Sequence, residues 1–316
     1  MAFDFNAVSA PFRMQPGMRR LAPGTTQLTP ILPGQQVFSE KLEVLRLHPG
    51  QALLTSPGFD SGPALAALFQ QGATEHPQAW RVAPDGSVHA LHLGWSVQGD
   101  QATSMANDAP QEIGDCLAAL PPEWRATALF CLAFAEDFAV ICGDTSIIPW
   151  LAVCLPSHWA PEEKIGRHFA EVHAPVADNH LLITASDHLA RLVTGTDRWQ
   201  RQVWTLTRHP SLHAHPARLD AADWPAEADA DQLAAQAWLR TEHQTFIPLA
   251  SPRQAVFTIH VEVRPLALAI TEPAQARRLH DALETMTASV LAYRSLTTAR
   301  DRLLSWLHAR SMEGAG

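Results

Sequence analysis

Residues 126–159, ATALFCLAFAEDFAVICGDTSIIPWLAVCLPSHW, decide the fold class. They form apolar runs broken by Glu136-Asp137 and by Gly143-Asp144. The runs 138–142 and 147–154 are short, bounded by turn residues and rich in Val, Ile and Trp, so they predict strands. The run 126–135 is poor in β-branched residues and reads equally as helix or strand. Upstream, WRVAPDGSVHALHLGWSV (80–97) carries the hairpin signal Pro84-Asp85-Gly86 between two short runs, which begins a β-rich stretch. Downstream, Pro161-Glu162-Glu163 predicts a helix start, because proline fits the first turn and acids favour its positive end. Ile165, His168, Phe169 and Val172 then share a helical face up to Ala174-Pro175.

The pattern further out is mixed. FSEKLEVLRLH (38–48) predicts a helix over about 38–47 with Ser39 as its N-cap, and GPALAALFQQ (62–71) predicts another after the turn at Ser56-Pro57-Gly58. Helices are also expected over 179–193, stopped by Gly195, and over 229–240. AVFTIHVEV (255–263) alternates as a strand with Phe257, Ile259, Val261 and Val263 on one face. The last forty residues read as one or two amphipathic helices with Pro273 near the first turn. The first 35 or so are rich in Pro and Gly and read as an arm laid over the body. Strands interrupted by helices, without βαβ regularity, give an α+β class.

The 316 residues are 47% hydrophobic and 17% charged, the profile of a folded chain with a substantial core. A formal net charge of −9 argues against nucleic acid and against an anionic membrane surface. Cys116, Cys131, Cys142 and Cys154 contain no CxxC pair, which excludes c-type haem attachment, and Cys131, Cys142 and Cys154 sit in apolar runs as small hydrophobes. The N-terminus lacks a secretory apolar stretch, and no apolar run approaches the roughly 18 residues of a membrane span. The expected location is the cytoplasm, with reduced thiols.

Sixteen histidines and ten tryptophans accompany a single tyrosine, so most histidines are expected to be surface replacements for lysine. No Walker, GxGxxG, HExxH, GxSxG or EF-hand pattern occurs. Three local groupings remain. LPSHWAPEEKIGRHFAEVHAPVADNH (155–180) carries His168 on the apolar face and His173 in the last helical turn, where it is either a partly buried structural histidine or an axial metal ligand. WLRTEHQTFIPL (238–249) places Arg240, Glu242 and Gln244 on one face if extended, as an ion pair or as a buried carboxylate for a cation beside an arginine for an anion. DRWQRQVWTLTRHPSLHAHP (197–216) offers Arg201 and Trp204 as a clamp for a planar anion, or Trp199 and Trp204 as core. Its histidines 209, 213 and 215 are expected on solvated surface.

In this order, LPSHWAPEEKIGRHFAEVHAPV, Arg201–Trp204, LRTEHQTF (239–246) and VFTIHVEVRPL (256–266), preceded by PFRMQPGMRRL (11–21), closely resemble the haem-dependent oxidative N-demethylase family over about residues 10–268. The resemblance implies a PAS-like antiparallel sheet with flanking helices enclosing haem b. On that reading residues 1–75 are an N-terminal arm with short helices, 76–268 the haem-binding core and 269–316 a C-terminal helical extension. It implies O2-dependent removal of a methyl group from a small secondary amine such as dimethylamine, releasing formaldehyde. Electrons would come from flavin and iron–sulfur (ferredoxin-type) reductase subunits. Carried over residue by residue, the proximal iron ligand falls at His173, with His168 as the alternative. Amine recognition or proton delivery falls at Glu242, and Lys164, Arg201, Trp204 and Arg240 become haem-contacting candidates. Two departures bear on the substrate: His243 stands where the family has arginine, and Arg201-Gln202-Val203-Trp204 stands where it has Arg-x-Asn-Trp. The rival expectation is a non-catalytic haem-binding PAS-like sensor or carrier.

Overall fold

The computed structural model describes residues 3–219, 223–249 and 251–313. The alternating runs form strands β1 (Arg19–Arg20), β2 (Leu53–Thr55), β3 (Trp80–Val82), β4 (Val88–Ala90), β5 (Trp95–Gln98), β6 (Gln101–Ser104), β7 (Asp137–Cys142), β8 (Trp150–Ala152), β9 (Trp199–Thr207), β10 (Trp238–Leu249) and β11 (Gln254–Pro265). Among the described residues they make a seven-stranded sheet in the order β1-β9-β10-β11-β7-β8-β2 and a four-stranded meander β3-β4-β5-β6, with antiparallel neighbours throughout. The α+β class holds.

Period-2 alternation divides the large sheet into two faces. Phe138 and Val140 pack into the largest core with Phe130, Phe134, Leu68 and Trp80. Ala139, Ile141, Leu151 and Phe246 face the other way, beneath Ala190 and Val193. A third core joins Trp204, Leu206 and Leu239 to Leu279, Leu283, Leu303 and Leu307 of the C-terminal helices. Each such leucine or phenylalanine stabilises by about 1.5–3 kcal/mol when fully buried.

The ambiguous run 126–135 lies mostly in a helix, Pro122–Ala133, whose residues from Thr127 onward are all buried. A helix wrapped in core on every side has no polar face, so it shows no period to read. Elsewhere the expected boundaries shift for identifiable reasons. The helix expected at 160–174 is a 3-10 turn, Pro161–Glu163, followed by a separate helix, Phe169–His173. Gly166 between them takes φ +70°, which ends the first turn, and His168 caps the second helix instead of lying on its face. The helix expected at 179–193 breaks at Ala185 into His180–Thr184 and Ser186–Val193. That at 229–240 stops at Ala234, because Trp238 already pairs with Pro265 in the sheet. The first helix runs Gln36–Leu47, so Ser39 is internal and not the N-cap. Only 150–152 of the run 147–154 is strand, and the C-terminus holds three helices, Pro273–Glu284, Ala288–Tyr293 and Arg300–Met312. His215 is buried against Glu162 at 3.1 Å, and the half-buried His213 donates from Nδ1 to the Cys154 carbonyl at 2.7 Å; neither is the solvated surface expected for that loop.

Behind the sheet lies a buried ion pair. Lys41 and Asp137, both 0% exposed, meet at 3.2 Å. The ammonium also donates to the Phe134 carbonyl at 3.0 Å and to that of Glu136, and Asp137 accepts from the Leu155 amide at 2.6 Å. Burial pulls the Lys41 ammonium down, but Asp137 and the other groups beside it outweigh that and its pKa is raised.

Gly114, in the helix Gln111–Ala119, lies so close to the Trp95 ring that an added Cβ would overlap Cη2. The indole is fixed by its Nε1 donating to the Pro110 carbonyl at 3.1 Å, so it cannot swing clear. Gly114→Ala is therefore expected to destabilise the chain by about 1–3 kcal/mol, despite alanine's better helix propensity. Urea unfolding checks this, and a midpoint at or above that of the wild type would refute the packing argument.

Candidate active site

The register of β9, β10 and β11 builds one wall. Gln244 sits opposite Arg201, Glu242 opposite Val203 and Arg240 opposite Thr205, so these six side chains share a face. On the far side of β10, Ile259 pairs with Gln244 and Phe257 with Phe246, continuing that face as apolar surface toward Ala139 and Ile141 of β7. The expectation that Arg240, Glu242 and Gln244 point together is met because the segment is extended.

The chain between β8 and β9 roofs this face and, with the arm, the segment after β9 and Tyr293, lines two adjoining cavities of about 290 and 570 Å³. The smaller is lined largely by apolar groups, including Ile141, Leu151, Phe246 and Phe257. The larger is more polar than the smaller and holds Arg201, Arg208, Arg240 and Arg294 along its walls. His158, His173, Arg201, Glu242, Gln244 and Tyr293 border both. Each volume is comparable to that of sites for cofactors and small molecules, about 300–1,000 Å³.

His173 presents one nitrogen to the cleft. Its Nδ1–H donates to the Phe169 carbonyl at 2.8 Å, which leaves the lone pair on Nε2, and the Phe169 ring lies 4.2 Å away, centroid to centroid. Burial is the main reason that its pKa falls to about 4, so the imidazole is neutral at physiological pH. A ring oriented by a backbone carbonyl and carrying a free lone pair is the arrangement of a metal-ligating histidine. His168 differs: its Nδ1 accepts from the Ala170 amide at 3.2 Å, its Nε2 meets Asp187 at 3.0 Å, and it borders neither cavity.

Arg201 projects into the cleft with its buried Nε unpartnered among the described residues. Desolvation lowers its pKa and the carboxylate of Glu242 acts against that. An unpaired buried guanidinium nitrogen awaits an anionic oxygen. Glu242 is 9% exposed, and its Oε2 accepts from the Gln244 amide. Lys164 lines the apolar cavity and donates to the Val172 carbonyl at 3.1 Å, with its pKa lowered by burial.

Arg240 is committed elsewhere. At 2% exposed it donates to Ser157 Oγ at 2.8 Å and to the carbonyls of Ser211, Leu212, Pro156 and Leu155 at 3.0, 2.7, 3.2 and 3.4 Å. It builds the pocket instead of reaching into it. Trp204 lies on the opposite face of β9 from Arg201, edge-on to Phe12 at 6.0 Å and 5.5 Å from the Arg294 guanidinium, so its ring fills core beside the larger cavity. Of the two departures noted in the sequence, His243 points away from the cleft and bonds Gln200 at 2.9 Å, whereas Val203 lies on the cleft face beside Glu242.

Two further cleft residues belong to no local sequence pattern. His158 follows an irregular loop, where no periodicity assigns direction. Tyr293, the one tyrosine, arrives from the C-terminal helix Ala288–Tyr293, and burial raises its pKa. Its rarity was the only available signal. Among the described residues the one tight His/acid grouping of metal-ligand type, His280, Asp281 and Glu284, sits on the helix Pro273–Glu284, outside the cleft.

Residues 40–304 match the family described as haem-dependent oxidative N-demethylase, alpha subunit-like. The chain belongs to this family. Haem-dependent oxidative N-demethylase-like chains are thereby placed among haem-dependent oxidative enzymes, and the alpha-subunit description implies partner subunits. The matched span contains Lys164, His173, Arg201, Glu242 and Tyr293, that is, the cleft apart from the arm residues Met14, Pro16 and Met18. The residues present fit the cofactor of an N-demethylase of this kind: a neutral histidine with an open nitrogen, an apolar slot for a macrocycle and an unpaired arginine for a carboxylate. Among the described residues no helix is long and apolar enough to cross a membrane.

Proposed function

We propose that this chain is the haem b-binding subunit of a cytoplasmic enzyme that removes a methyl group oxidatively from a small secondary amine of the dimethylamine type. The overall change consumes the amine, O2, two electrons and two protons, and yields the demethylated amine, formaldehyde and water. The electrons come from flavin and iron–sulfur partner subunits. The observation that carries this reading is the convergence of the open Nε2 of His173 and the buried carboxylate of Glu242 on one cleft.

His173 would hold the iron, Arg201 a propionate, and Lys164 the rim of the macrocycle, within the greasy face of β7, β10 and β11. Haem, when bound, supplies the reductive activation of O2 and the oxidation of a C–H bond next to nitrogen. The protein contributes the rest. A dialkylamine arrives protonated, and Glu242 attracts the cation and accepts its proton at Oε1 or Oε2. Gln244, donating to Oε2, fixes the carboxylate's rotamer. Val203 and Ile259, cross-strand neighbours of Glu242 and Gln244, offer alkyl groups an apolar surface and exclude water. The helices between β8 and β9, which roof one face of an antiparallel sheet, support the PAS-like description, with 76–268 as the haem-binding core flanked by the arm and the C-terminal helices.

The test is to titrate the purified chain with haem and follow the Soret band, then supply reductant, O2 and dimethylamine and assay formaldehyde. A protein that binds haem but yields no formaldehyde with any short-chain secondary amine would be a sensor or carrier. Glu242→Gln is expected to keep the haem spectrum and lose about 10²–10⁴-fold in kcat/KM for the amine, the usual worth of a general base. Unchanged kinetics in that variant would remove Glu242 from the mechanism.

A further inference from the structure

His158 is a second imidazole in the cleft, and the construction around it is unusual. Its backbone takes φ +64°, a left-handed conformation uncommon outside glycine, where a residue persists only if its surroundings over-determine it. They do so here. The carbonyls of Leu155 and Pro156 and the hydroxyl of Ser157, the three residues before it, all accept from Arg240. The His158 amide donates to the Ala214 carbonyl at 2.9 Å, and the Ala214 amide donates back to Pro156 at 2.9 Å. A guanidinium with all three nitrogens engaged and a two-bond bridge thus hold this turn and place the side chain at the junction of the two cavities.

The ring itself is free. Among the described residues it has no hydrogen-bond partner; its neighbour is the His209 ring at 6.2 Å. Burial in the cleft, with the Arg240 and His209 charges adding to it, lowers its pKa to about 4, so it carries one N–H and one lone pair at neutral pH. Of the other polar side chains of the junction, Glu242 is paired with Gln244 and His173 is tied through Nδ1.

We propose that His158 is the hydrogen-bond donor for a small ligand bound to the haem that His173 would hold. This rests on the haem reading above. His173, which would hold the group, and His158 border the same two cavities, and His158 brings an uncommitted N–H to them. Its fixed turn then acts as pre-organisation, because the donor pays no further ordering when the ligand arrives.

The test uses the full chain loaded with haem, in the wild-type, His158→Ala and His158→Gln forms, with azide as the probe of the ferric state and carbon monoxide as a weak-acceptor control of the ferrous state. In His158→Ala the ligand-free spectrum is expected to be unchanged and the azide dissociation constant to rise about tenfold, equivalent to roughly 1.4 kcal/mol. His158→Gln, which keeps an N–H donor, is expected to recover most of that loss, and carbon monoxide affinity to change far less. Equal azide affinity in all three forms would overturn the proposal while leaving haem binding intact. A ligand-free spectrum altered by His158→Ala would also overturn it, by making His158 an axial ligand. Failure of the wild type to bind haem at all would overturn both this inference and the functional reading beneath it.

Discussion

Substituting alanine for His173 is expected to abolish stable haem binding, with the Soret band lost on gel filtration. Its Nε2 is the open nitrogen of a ring already oriented by the Phe169 carbonyl. Removing an outer hydrogen-bond partner of a metal ligand typically costs about 10–100-fold in affinity, so removal of the ligand itself should exceed that. The apolar contacts of the cleft remain in the variant, so some weak porphyrin association should persist and free imidazole added to the buffer should restore a histidine-type spectrum. The fold is expected to survive, since His173 lies in the last turn of a five-residue helix whose core contact is made by Val172 and not by His173. An unchanged spectrum in His173→Ala would transfer the ligand to another side chain of the cleft.

The second large effect concerns stability. Lys41→Ala should destabilise the chain by about 3–5 kcal/mol, because it strands the Asp137 carboxylate, 0% exposed, with the Leu155 amide but no counter-ion. The Phe134 and Glu136 carbonyls lose a donor at the same moment. Lys41→Met with Asp137→Leu should recover much of the loss, since an apolar pair of similar volume avoids the desolvation that a lone charge suffers. Guanidinium unfolding of the wild type and these two variants separates these outcomes. A single-variant loss below about 1 kcal/mol would mean that water reaches the pair.

The sequence reveals some parts of this molecule better than others, for physical reasons. The strand character of 138–142 and 255–263 is legible because β-branched and aromatic residues cluster there between turn residues. The common face of Arg240, Glu242 and Gln244 follows from alternation once the segment is known to be extended. What alternation cannot supply is the register. Only the pairing of β9 with β10 reveals that Val203 flanks Glu242. The misplaced helix at 160–174 shows the same limit, because the proline and acid signal was real but Gly166 closed the turn after three residues. His158 and Tyr293 reach the cleft from an irregular loop and a distant helix, and no local pattern encodes that meeting.

Arg240 has a mechanical consequence. One guanidinium rivets the strand that carries Glu242 to the turn that carries His158, and it does so through backbone oxygens that cannot rotate away. The two chemical ends of the cleft therefore behave as a single casting. The arm residues Met14, Pro16 and Met18 and the short helices overhead line the same cleft outside that rivet, so any yielding of its walls to a ligand is expected there and not at the chemical groups.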